Sequence, residues 1–305
     1  MTSRIRLSRM YFLSNHIKAF ALSFLLICML TGCSTQKFLT EKAGDLLSKE
    51  TLTTEEDLEL LMHASAYHLK LSESLLKEIP HHLKLSESVT RGFTQYAFVF
   101  LMDEADRIES ESVKKSTLLR MRAAKMLIRA KSNGLETLKL KYVQLDQYLQ
   151  SSSSENVLTI DADDVGLAYW VMTSWAGAIS LSKDNPDMVA DLPQAFKLAN
   201  LVWQTYPKFD QGSLASMMGN LELAKPGHHS KRAEEFFDLG IEWRGNQIAP
   251  LVSKAENWAV ATQNKDAFLK LLTLAIREGQ DKTDLTNTIM TRRAKWLLES
   301  TDNLF

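Results

Sequence analysis

Cysteine is almost absent from this 305-residue chain. It has two, Cys28 and Cys33, and both lie near the N-terminus, so the remainder carries no disulfide, thiolate metal site or cysteine nucleophile. Glycine and proline are also scarce, at 12 and 6, and no segment of Val, Ile or Thr alternates long enough for a strand. No G-x-S-x-G, phosphate loop or dinucleotide fingerprint occurs. His81-His82 and His228-His229 are adjacent pairs beside Pro80 and Pro226-Gly227, without the i, i+4 spacing and nearby carboxylate of a metal site. They read as solvated loop histidines. No catalytic role, metal or cofactor is expected, and a hydrolase built on these pairs is the weakest of the functional readings.

What is present begins with a leader. Arg4, Arg6, Arg9 and Lys18 precede the apolar run from Ala19 to Leu30, which is too short for a comfortable permanent span and fits a secretory signal. It ends in Leu30-Thr31-Gly32-Cys33, the bacterial lipobox pattern, so residues 1–32 are expected to be cleaved off and Cys33 to carry lipid. Several acyl chains, each worth ~0.8 kcal/mol per buried methylene, would hold the folded part at a membrane. Ser34 in place of an aspartate after the cysteine points to the outer membrane, facing the periplasm. The leader holds four of the 36 Lys and Arg and none of the 37 Asp and Glu. The mature chain is therefore acidic, 32 against 37, or −5, and nucleic acid is not an expected partner.

The apolar period of three to four predicts an all-α domain over 33–305, with a flexible serine-rich connector at 150–160 separating two helical groups. Helices are predicted over 37–48, 55–78, 84–109, 112–131, 135–149, 163–183, 187–206, 211–223, 229–243, 248–262, 265–278 and 284–300. Asn133-Gly134, Asn185-Pro186, Tyr206-Pro207 and Arg244-Gly245 read as turns among them. The heaviest element is 163–183. From Val165 to Leu181 it is apolar on every face and must be surrounded. Asp163 and Asp164 offer caps at its start. It would rise only ~26 Å, short of the ~30 Å hydrocarbon core, so a buried central helix is favoured over a membrane span.

Small and bulky residues recur as in the second helix of tetratricopeptide repeats. Ala195, Ala199, Val202 and Pro207 fit that spacing. Ala233, Phe237, Gly240 and Gly245 fit it with glycine for proline, Phe268, Leu272, Ala275 and Gln280 loosely, and Ala123, Leu127 and Ala130 suggest a further copy. The expected architecture is tetratricopeptide-like helix pairs in a compact right-handed superhelix. A second repeat, HLKLSES at 68–74 and again at 82–88, has an offset of 14 and reads as a local duplication.

A helix around Gly92 to Leu101 repeats the apolar character of 163–183, with Gln95 its polar exception. A buried glutamine costs ~1–3 kcal/mol unless paired, so Gln95 is expected either to bond a neighbouring helix or to face a cavity. Tyr96, Tyr169, Trp170 and Trp175 are the aromatics that would line such a cavity with it.

The strings GFTQYA at 92–97, DEAD at 103–106, AYW at 168–170 with Trp175, ISLSKDNP at 179–186, ADLP at 190–193 and the closing RRAKWLLESTDNLF resemble the T component (TatT) of tripartite ATP-independent periplasmic, or TRAP, transporters. The likeness covers most of the mature chain. It implies a periplasm-facing lipoprotein of degenerate tetratricopeptide-like pairs that associates with the transporter's substrate-binding P component. It further implies help in passing a small organic or hydrophobic ligand, and it allows a homo-oligomer such as a trimer. The competing reading is a tetratricopeptide lipoprotein that organises envelope enzymes and has no ligand of its own.

Overall fold

The computed structural model describes residues 36–49, 55, 57–151, 158–225, 227 and 230–305. Cys28, Cys33 and the leader, most of the serine connector, and Pro226, His228 and His229 lie outside the described residues. Among those described there is no strand, and no helix is long and apolar enough to cross a membrane.

The protein is all-α. Helix α1 covers 36–47 and α2 Leu58–Glu78. Helix α3 (Leu83–Tyr96) passes through a π-helical stretch, Ala97–Met102, into α4 (Asp103–Ile108). Then come α5 (Val113–Lys141), α6 (Leu145–Gln150), α7 (Val165–Ser180), α8 (Pro186–Ala190), α9 (Leu192–Thr205), α10 (Ser213–Ala224) and α11 (Ser230–Trp243). Helix α12 (Ala249–Ser253) runs into a second π stretch, Lys254–Ala259, and α13 (Lys265–Gly279), α14 (Leu285–Glu299) and α15 (Thr301–Leu304) close the chain.

Helix α7 is the axis of the first half. It packs on α3, α5, α9 and α10, and its residues from Val165 to Tyr169 are all buried, as an element apolar on every face requires. Around it lies one core cluster. A second joins α2, α3 and α5, and a third joins α11 to α14. The small and bulky helical positions with tetratricopeptide spacing sit on buried seams: Ala123, Leu127, Ala130, Ala195, Ala199, Val202, Ala233, Phe237, Phe268, Leu272 and Ala275 are wholly inaccessible, while the joint positions Gly245 and Gln280 are exposed. Consecutive helices pack on one another in the order of the chain, an arrangement compatible with tetratricopeptide-like pairs. Gly245, where that pattern has proline, has φ 53°, a left-handed conformation that proline's fixed φ near −65° excludes.

Three local expectations are corrected. Asn133-Gly134 is no turn: α5 runs straight through it. A Cβ on Gly134 would lie 2.4 Å from Val171 and 2.6 Å from Thr90, so the glycine lets α5, α7 and α3 meet and its helix cost is accepted for that contact. Asp164 precedes α7 without capping it by a side-chain bond; its carboxylate, 3% exposed, instead accepts from Lys141 and the Tyr142 hydroxyl. His82 is no solvated loop residue: its Nδ1 accepts from the Leu85 N–H as the N-cap of α3, and its side chain is 8% exposed.

Glu73 ties α2 to α5. Its carboxylate, 3% exposed, accepts from Arg129, from Lys70 at 2.9 Å and from Asn133 at 3.3 Å. Burial alone would raise its pKa, but these donors outweigh it and bring the group from 4.5 down to about 2. A carboxyl held below its unfolded pKa stabilises the fold above that value and loses the contribution as pH falls toward the folded one. Glu73→Gln should therefore lower the urea midpoint at neutral pH, and its deficit against the parent should shrink as pH falls from about 4.5 to about 2. A deficit independent of pH would show that the carboxylate's charge contributes nothing.

Candidate functional site

The end of the chain returns to its beginning. Helix α14 packs on α12 and α13 and faces the α3–α4 rod through its side chains, and the space between them holds two features, a cavity and an ionic clasp.

The cavity encloses about 250 Å³. Its walls are Leu61, Ser65, His68 and Leu69 of α2, Arg91, Gly92, Gln95 and Tyr96 of α3, Val99 and Phe100 of the π stretch, and Leu285 and Ile289 of α14. Aliphatic and aromatic carbon dominates, with a few polar groups that could orient a ligand, which is the composition of small-molecule sites. Tyr96 and Phe100 meet edge to face at 5.3 Å. Burial lowers the His68 pKa, against the opposing backbone bond from Leu47, so its ring is neutral at neutral pH. The π turn changes the helical register just where the wall passes from Tyr96 to Phe100, a device frequent at functional positions.

The clasp lies further along the same two helices. Arg293 donates to Asp103 at 3.4 Å, to Asp106 at 2.7 Å and to Glu256 of the second π stretch. Arg292 donates to Asp103 at 3.1 Å, and Arg107 to the same carboxylate at 2.8 Å. Both Arg293 and Arg107 sit over the Trp296 ring, at 4.4 and 5.8 Å. Burial would lower the Arg293 pKa, yet the charges of Glu256 and Asp106 hold it above its ordinary value, so the guanidinium is permanently charged. Beside the clasp a depression of about 490 Å³ carries Arg107, Lys282, Arg292 and Lys295 around Trp296. The strings DEAD and RRAKW, far apart in the chain, thus meet, and GFTQYA lines the cavity earlier on the same α3–α4 rod. Opposite charges in two strings of one resemblance were the available sequence signal for this pairing.

The five aromatic and amide candidates do not form one site. Gln95 and Tyr96 line the cavity, but Gln95 is exposed, so water meets its amide and the expected cost of burial does not arise. Tyr169, Trp170 and Trp175 lie in the first core cluster around α7. Tyr169 packs edge to face on Trp170 at 5.1 Å and against Phe209 at 5.1 Å, and its burial pushes the hydroxyl pKa up, so it stays protonated. The Trp175 Nε1 donates to Asp191 at 2.9 Å. Among the described residues no group of His, Cys, Asp and Glu could hold a metal ion.

A family model described as TRAP transporter T-component matches residues 54–305. No curated protein matches the chain.

Proposed function

Because the chain belongs to the TRAP transporter T-component family, and is therefore an accessory component of such a transporter, we propose that it works as a lipid-anchored, periplasm-facing subunit. In this reading Cys33 carries the lipid, the helical surface docks the substrate-binding P component, and the cavity between α3 and α14 takes part in passing a small organic ligand. The observation that carries it is the cavity itself: it is mostly apolar, and Gly92, Gln95 and Tyr96 of GFTQYA, one of the strings that carry the family resemblance, stand in its wall. No bond need be made or broken. Transfer rests on the difference in ligand affinity between the two proteins.

Two measurements test the reading. A pull-down from solubilised envelope should recover a periplasmic solute-binding protein, and repeated failure to do so would remove the docking partner. Ile289→Trp, which fills the cavity from α14, should reduce ligand uptake while leaving that pull-down and the unfolding midpoint near the parent's. Unchanged uptake by a folded, docked variant would exclude the cavity from the ligand's route.

A further inference from the structure

Helix α1 lies outside the part of the chain that the family model matches. Its inner face is tied down: a Cβ on Gly44 would meet Ile79 and His82 within 3 Å, and Glu41 and Asp45 reach His82 at 3.9 and 3.3 Å. Its opposite face is exposed among the described residues. Phe38, Leu39 and Leu46 are 60, 61 and 65% exposed, and with Ala43 they form one stripe at helical spacing; Lys42 lies within it, its ammonium 5.8 Å from the Phe38 ring centre and 3.0 Å from the Asp45 carboxylate. Both acids of the helix turn toward His82 at one margin of the stripe, so the outward face is mostly apolar and carries a single lysine long enough to extend to the headgroups.

Position in the chain says what meets that face. Gln36 begins the helix three residues after Cys33, a reach of at most ~11 Å even for fully extended backbone. The polar layer on each side of a ~30 Å hydrocarbon core is only ~5–8 Å deep. A helix tethered so closely to a lipidated residue cannot leave the membrane surface, and apolar side chains with lysines beside them are what an interfacial helix presents there. We propose that α1 is a membrane-surface helix, with Phe38, Leu39 and Leu46 set into the headgroup layer of the leaflet that holds the Cys33 lipid. Lys49, just beyond α1, lines the cavity, so the cavity's rim is held one helix length, ~20 Å, from the anchor. The inference rests on the lipidation of Cys33.

The test uses the full chain, expressed with its leader, purified from membranes and returned to vesicles of phosphatidylethanolamine and phosphatidylglycerol. With Cys28 removed and Cys33 acylated, Leu46→Cys, Leu39→Cys and Asp266→Cys each supply a single thiol for an environment-sensitive fluorophore. Probes at 39 and 46 should show blue-shifted emission and be quenched by lipids bearing shallow nitroxides, whereas the probe on α13 should behave as in water. Incorporation of labelled palmitate and vesicle flotation report Cys33 separately. A chain that is acylated and floats but keeps aqueous emission at 39 and 46 would overturn the surface helix while leaving the anchor intact. Absence of acylation would overturn both. Shielded probes that lipid nitroxides fail to quench would assign the face to a second copy or to another protein and overturn the proposal.

Discussion

Trp175→Ala should destabilise the folded domain by about 4 kcal/mol, the upper part of the range for truncating a buried aromatic. The indole is 2% exposed. It also anchors a polar junction: Nε1 donates to Asp191 at 2.9 Å, Lys131 pairs with the same carboxylate at 3.2 Å, and the Lys131 ammonium lies 4.6 Å from the ring centre. Alanine would open a cavity in α7 and remove one donor from Asp191, while Trp175→Phe, keeping most of the apolar contact, should cost only about 1–2 kcal/mol through the lost hydrogen bond. Urea unfolding of the mature domain measures both. The result also decides between two uses of the residue. A tryptophan serving chiefly as a ligand wall would leave the midpoint near the parent's when truncated and change ligand retention instead.

Arg293→Ala should cost about 2 kcal/mol, because it takes the cation from Glu256 and one of the cations from Asp103 and Asp106, which keep Arg107, Arg292 and Arg120. Its side chain is 15% exposed, and those of Asp103 and Asp106 are 14 and 18% exposed, so water screens the remaining charges only in part. Adding Glu256→Gln to the alanine variant should recover part of the loss, since the two residues share one network and their effects do not add. Both variants can be compared by urea midpoint at low and moderate salt. A single-variant loss under about 0.5 kcal/mol, the level of an ordinary surface change, would mean that the α4–α14 seam is held by something other than this clasp.

The HLKLSES repeat shows where sequence reading stops. In its first copy the string lies inside α2, where Glu73 is buried against Arg129 and His68 stands 3.4 Å from Ser72. In its second copy Pro80 has ended the preceding helix, and the equivalent histidine, His82, caps α3 through Nδ1. Identical residues take different work because their neighbours differ. Gln95 makes the same point in reverse. Its apolar flanks allowed either a bond to a neighbouring helix or a cavity, and only the placing of α2 and α14 puts it in a cavity wall with its amide wet. The acids of DEAD were visible as charges at helical spacing, but nothing in the local pattern says that Arg293, 187 residues from Asp106, will be their partner.

By itself the sequence determined the class of the fold, the place of nearly every helix and the axial role of α7, because these follow from apolar periodicity, caps and breaks within about twenty residues. It also carried the family resemblance, since irregular strings such as GFTQYA and RRAKW are legible without coordinates. Only the tertiary structure decided that DEAD and RRAKW meet, that Gly134 is a contact between three helices, and that the five candidate residues divide between a cavity and a core. Each of these depends on which helices meet across long stretches of chain. That is settled by the summed burial of whole faces, which local residue pattern does not encode.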